Sequence, residues 1–132
     1  MSSMRPSDSG SKTGRPAILT LTTDFGEGSP YIAQMKGVIL TLNRAANIID
    51  ITHAIPPQNI RQGAMVLDEV TRSFPPDTVH VAVVDPGVGT DRTLVFARFG
   101  DQRYLAPDNG LLGQLNRREP PNEIVVLTNR DY

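Results

Sequence analysis

Three short apolar runs, each ending on polar residues and separated by segments of helical period, limit what this chain can become. The runs are AILTLT (17–22), NIIDIT (47–52) and TVHVAVV (78–84). Their length and their β-branched and aliphatic content suit buried strands. Between the first two, Ile32, Met35, Ile39 and Leu42 recur three or four residues apart, which predicts a helix over 31–43. Between the second and third, Asn59 stands as an N-cap before Ile60, Ala64, Leu67 and Val70, and the prolines of PPD (75–77) stop that helix near Phe74. Further strands are expected at 93–99, 104–106 and 123–127, with a short helix at 110–116.

The opening order of strand, helix, strand, helix, strand implies right-handed crossovers. The expected fold class is therefore α/β: a mainly parallel β-sheet flanked by helices on both faces, Rossmann-like in arrangement. In such sheets ligands bind outside the carboxyl ends of the strands. With 132 residues, 39% of them apolar and 20% charged, the chain suits one globular domain, expected over 17–132. Residues 1–16, rich in Ser, Gly and Pro without hydrophobic period, read as a flexible tail. A formal net charge of -1 gives no electrostatic reason to expect nucleic acid or an anionic membrane as partner. The absence of cysteine excludes disulfides and thiolate chemistry, and two histidines are too few for a histidine-rich metal site. No apolar run approaches the roughly 20 residues that span a bilayer, and no secretory signal precedes the first strand, so the expected location is cytoplasmic.

The polar residues just past the strand ends are few: Thr23 and Asp24, Thr52 and His53, Asp85, and Asp108 with Asn109 in APDNGLL. Asp24 either caps its loop or binds a ligand. His53 reads as a structural histidine rather than a ligand, and Asp108 as part of a tight turn. Asn109, beside it, is a candidate for substrate binding. Asp85 differs, because it ends the most apolar strand, where an uncompensated carboxylate is costly, and Arg92 is the nearby cation that offsets that cost. The glycines of VVDPGVGTDR (83–92) run into another strand, whereas a phosphate cradle needs a helix to follow. They permit a close reversal that returns Arg92 toward Asp85.

Four segments, LTTDFGEGSPYIAQMKGVI, IIDITHAIPPQNIRQGA, FPPDTVHVAVVDPGVGTDR and YLAPDNGLLG, resemble in order the motifs of the S-adenosyl-L-methionine (SAM) hydroxide adenosyltransferases. These are adenosine-forming SAM hydrolases, related to the bacterial fluorinase and chlorinase. The resemblance, over about 17–129, implies a water-derived nucleophile that displaces methionine from the ribose C5′ of SAM. It implies that Asp85 and Arg92 position and polarise the water, that Asp24 binds both ribose hydroxyls, and that Gln58 lies near the sugar. Val88 takes the place of a halide-holding hydroxyl residue and Asp85 that of an aromatic residue in the halogenases, which favours hydroxide over halide. Ser29 stands where the family usually has an Asp that meets the methionine end. The family also carries a catalytic histidine and a second, β-rich domain beyond the point reached by Tyr132, and works as a trimer. No metal or cofactor is implied, and SAM is the expected small-molecule partner.

The leaving thioether is neutral, so the chemistry asks little of a general acid and much of the nucleophile. A carboxylate beside a guanidinium is a weak base, which suits Asp85 as an orienter and Arg92 as the charge that stabilises developing hydroxide. The expectation is a truncated, poorly active SAM hydrolase; the alternatives are a non-catalytic SAM or adenosine-binding module and an unrelated doubly wound domain that binds another nucleotide.

Overall fold

In the computed structural model the described residues are 15–85 and 93–127. Their elements run β1 (Ile18–Thr23), α1 (Pro30–Leu42), β2 (Asn47–Thr52), α2 (Ile60–Val70), β3 (Val79–Val83), β4 (Leu94–Phe99), β5 (Gln102–Pro107), α3 (Gly113–Arg118) and β6 (Glu123–Leu127), with a 3-10 turn at Thr71–Ser73 after α2. This is the expected order. The third helix is shorter at its start than expected: Gly110 adopts a φ of 97°, which only a turn accommodates, and Asn109 Oδ1 accepts the Leu111 N–H at 3.2 Å, so the helix begins at Gly113. Most of the expected tail, and the whole glycine loop with Val88 and Arg92, lie outside the described residues.

All six strands form one sheet, in the order β2-β1-β3-β5-β4-β6. β1 pairs in parallel with β2 and β3, and β3 with β5, whereas β4 is antiparallel to both β5 and β6. The sheet is therefore mixed, because the β4–β5 connection is a tight hairpin through Gly100 at φ 61° and a hairpin can only join antiparallel strands. Its parallel half carries the functional argument. From β1 the chain crosses one way to β2, then returns over β1 to β3. Parallel connections of this kind are almost always right-handed, so steps in opposite directions put their helices on opposite faces, and the strand order reverses between the carboxyl ends of β1 and β3.

On one face α2 and α3 cover a core of Ile55, Leu67, Ala82, Val84, Tyr104, Ala106, Leu111 and Leu115. α2 starts where Asn59 Oδ1 accepts the Gln62 N–H at 3.0 Å, and it buries Gly63, Ala64, Leu67 and Asp68. Arg118 of α3 donates to both Asp68 oxygens, from Nε at 2.9 Å and Nη2 at 2.7 Å, and this hydrogen bonding holds the Asp68 carboxyl below its ordinary range. Over the other face α1 is capped by Ser29, with Pro30 at its first position, and is tied to β2 by Lys36 and Asp50, 2.8 Å apart. α1 packs shallowly: none of its residues is fully buried, and Leu42, at the end of the expected apolar stripe, is 82% exposed.

Candidate functional site at the ends of β1 and β3

The exits of β1 and β3 are stitched together. Thr23 pairs with Val83, and the next N–H, that of Asp24, donates to the Val83 carbonyl at 3.3 Å. Asp24 thus emerges beside the segment that leads to Asp85, which is buried two residues past β3. Asp24 Oδ2 accepts the backbone N–H of Gln58 at 2.7 Å. Gln58 reaches that position by adopting a left-handed φ of 64°, immediately before the Asn59 cap of α2. Its contribution to the Asp24 carboxylate is therefore a backbone one.

The loop between β1 and α1 is held from the side by His53, at the end of β2. The Phe25 N–H donates to Thr23 Oγ1 at 3.2 Å, the Gly26 N–H to the His53 carbonyl at 2.9 Å, and the His53 N–H to Glu27 Oε2 at 3.1 Å. Gly26 and Gly28 sit at φ 95° and 85°, backbone that L side chains rarely adopt, and this lets the loop fold back on the strand ends. The buried His53 ring bridges Thr23 Oγ1, 2.8 Å from Nδ1, and Asp50 Oδ1, 2.7 Å from Nε2. Partial desolvation raises the Asp50 carboxyl, but hydrogen bonds and charge from Lys36 and His53 outweigh it and leave it below its ordinary value.

Asn109 lies at the same end of the sheet. Its Nδ2 donates to the Val84 carbonyl at 2.9 Å while its Oδ1 holds the Leu111 N–H, so it fixes the chain just before Asp85. Ser29 accepts the Tyr31 N–H as the N-cap of α1. The structure thus brings Asp24, Gln58, Asp85 and Asn109 to the same end of the sheet, beside the exits of β1 and β3, and places Ser29 at the far end of the Asp24 loop. The Asp85–Arg92 pairing lies outside the described residues. Sequence reasoning treated His53 as structural and did not single out Asp50, Lys36 or Glu27. Spacing gave no signal for them, since residues three apart on a regular strand face opposite ways. A register shift opposite Leu21 and Thr22, which leaves Ile51 without a partner, brings Asp50 and His53 to one side.

The Asp24 carboxylate at these strand ends suits a ligand rich in hydroxyl donors. Among the described residues no group of three or more His, Asp or Glu side chains is arranged to hold a metal ion, and no helix is long and apolar enough to cross a membrane.

Residues 19–132 match the family model of the SAM hydroxide adenosyltransferase N-terminal domain. The chain belongs to this family. Among relatives, it is 42% identical over 120 residues to the (R)-S-adenosyl-L-methionine hydrolase of Methanocaldococcus jannaschii, covering 87% of this chain and 45% of that protein. It is 40% identical over 117 residues to the enzyme of the same name from Salinispora tropica, covering 86% and 44%, and 29% identical over 137 residues to a fluorinase of Actinopolyspora mzabensis, covering 86% and 46%. A solved structure of an uncharacterized conserved protein from Thermotoga maritima superposes with a TM-score of 0.78 at 42% identity, covering 86% of this chain and 44% of that one. The chain spans less than half the length of these relatives.

Proposed function

We propose that this chain provides the adenosyl-binding half of a SAM hydrolase, with Asp24 accepting the ribose 2′ and 3′ hydroxyls and Asp85 orienting a water toward C5′. The observation that carries the reading is the Asp24 carboxylate at the joined ends of β1 and β3. One of its oxygens is pinned by the Gln58 N–H, and among the described residues the other accepts no hydrogen bond. A vicinal diol donates two O–H groups, and a carboxylate oriented by a backbone donor has the lone pairs to receive both. In the reaction the water oxygen forms a bond to C5′ as the C5′–S bond breaks. The electron pair goes to sulfur, giving neutral methionine thioether, and the proton of the attacking water passes to solvent. Asp85 accepts one water O–H and fixes the attack line, and Arg92 stabilises the developing hydroxide. Asn109 fixes the chain just before Asp85, and the valine at position 88 has no hydroxyl with which to hold a halide. Ser29 faces the methionine end with an uncharged group. The same reading has the whole protein work as a cytoplasmic homotrimer without a cofactor, and the near-zero formal charge of the chain supports a small zwitterionic partner.

The test is binding of adenosine and SAM by calorimetry, together with chromatographic detection of adenosine formed from SAM. Asp24→Asn keeps the shape but replaces one acceptor by an N–H donor. The loss of charge-assisted bonds, about 1.5–3 kcal/mol, should weaken adenosine roughly 10- to 150-fold. Asp85→Asn should leave adenosine binding intact and abolish adenosine formation from SAM. Unchanged affinity in the Asp24 variant would refute the ribose assignment. Binding of SAM without any adenosine release, however long the incubation, would favour a non-catalytic binding module.

A further inference from the structure

We propose that His53 is a positioning residue for the Asp24 carboxylate, acting through the Thr23 hydroxyl; the inference rests on the ribose-binding reading of Asp24. The polar chain beneath the site runs Lys36 Nζ, Asp50, the His53 ring, Thr23 Oγ1 and the Phe25 N–H, with separations of 2.8, 2.7, 2.8 and 3.2 Å. With the ring in its neutral form, the directions follow from what each group can do. An ionised Asp50 only accepts, so Nε2 carries the ring hydrogen. In the neutral ring Nδ1 is then the acceptor, so the Thr23 hydroxyl donates to it. The lone pairs of Thr23 are left for the Phe25 N–H, and every member is satisfied. The bond from Thr23 Oγ1 to Phe25 spans Asp24 and sets the backbone on both sides of it.

A hydroxyl, an imidazole and a carboxylate in series also have the composition of a hydrolytic triad. That use is excluded by burial: Thr23 is 0% and His53 2% exposed, so no substrate atom reaches the hydroxyl. The hydrogen bonding therefore serves orientation. Among the described residues no other side chain bonds to the Thr23 hydroxyl, so there His53 is the side chain that orients it, together with the Phe25 N–H. The backbone bonds from His53 to Gly26 and Glu27 do not depend on the ring, so a side-chain substitution separates the ring's part from that of the loop anchor.

The experiment uses the full chain with His53→Gln, His53→Asn and Asp50→Asn. The shorter Asn amide reaches the place of Nδ1 and keeps the Thr23 arm, whereas Gln reaches toward Nε2 and keeps only the Asp50 arm. In His53→Gln, amide hydrogen exchange at Phe25 should accelerate at least tenfold, while Gly26, whose bond is to the His53 carbonyl, and Leu21 and Ala82 keep their protection. The preference for adenosine over 2′,3′-dideoxyadenosine, measured by calorimetry, should fall about tenfold. His53→Asn should retain most of both. A histidine serving stability alone would instead lower protection throughout and weaken both ligands alike, which would overturn the proposal. So would unchanged exchange and unchanged discrimination in a folded His53→Gln protein. If that variant does not fold, Asp50→Asn carries the test: it should speed exchange at Phe25 and reduce the diol preference, and a folded variant with neither change overturns the proposal. Failure of the unsubstituted chain to distinguish the two nucleosides would refute the ribose reading of Asp24, while the exchange rates would still decide whether the ring holds the loop.

Discussion

Replacing Gln58 by glycine tests whether the backbone or the side chain of this position serves the site. Gln58 is exposed and has a φ of 64°, and its N–H donates to Asp24 Oδ2 at 2.7 Å. A non-glycine residue held in the left-handed region costs about 1–2 kcal/mol, from Cβ against the following carbonyl. Glycine removes that cost in the folded state but adds about 0.4–1 kcal/mol of chain entropy to the unfolded state. No side-chain hydrogen bond of Gln58 is lost, so the expected net effect of Gln58→Gly is a gain of roughly 0.5–1 kcal/mol, while Gln58→Ala, which keeps the Cβ, should be neutral. The N–H stays in place in both, so adenosine affinity should change less than about twofold, an interval of roughly 0.4 kcal/mol. Urea denaturation followed by circular dichroism reads the first quantity and calorimetric titration the second. A glycine variant less stable than the parent would refute the strain argument. A tenfold loss of affinity in both variants would show that the amide side chain touches the sugar.

Two further outcomes follow from the core. Gly63→Ala in α2 should destabilise, because its Cβ would lie 2.8 Å from Leu111 Cδ2 and 3.3 Å from Val84 Cγ2, and Leu111 is fully buried; overpacking of about 1–3 kcal/mol exceeds a helix-propensity gain of about 1 kcal/mol. Gly37→Ala in α1, with nothing within 4 Å of the new Cβ, should stabilise by the propensity alone, and thermal melts in which the two variants shift alike would refute this contrast. His80 should make stability fall on acidification. Burial lowers its pKa from the ordinary 6.5, against a smaller raising effect from Gln102. The unfolded chain then binds more protons in the window just below pH 6.5, so stability is fully present above that value and is lost as the pH drops toward the folded pKa. Urea midpoints measured from pH 7.5 to 5 check this, and a midpoint indifferent to pH in that window would contradict it.

The parts of the fold that were legible in the sequence are those where local chemistry and tertiary packing ask for the same residue. Asn59 caps α2 because it precedes a stripe that the core needs, and Ala64 and Leu67 are buried as their spacing requires. The stripe then departs from expectation at Val70, which is 36% exposed, because the 3-10 turn rotates Thr71 inward to meet Leu67 and Tyr104. In α1 the period was right but depth was not readable, since a stripe says which way a helix faces and nothing about how closely it approaches the sheet. The mixed sheet escaped a reading based on strand order, because direction after β3 depends on a two-residue turn at Gly100 and Asp101.

At the site the same division holds. Asp24 and Asp85 were singled out because strand ends in a parallel sheet are where ligands bind. What aims Asp24 was hidden, because it is done by groups without a sequence signature: the N–H of a residue with positive φ, the rotor of a buried threonine, and a histidine brought to Asp50 by a register shift. Backbone donors are common to every residue type, so side-chain identity cannot reveal them. Gln58 was singled out by the resemblance alone, as a position near the sugar, and its bond to Asp24 is made by the main chain. Positioning in this protein is therefore expected to tolerate changes of side chain at Gln58 and to fail when Thr23 or His53 loses its hydrogen-bonding partner.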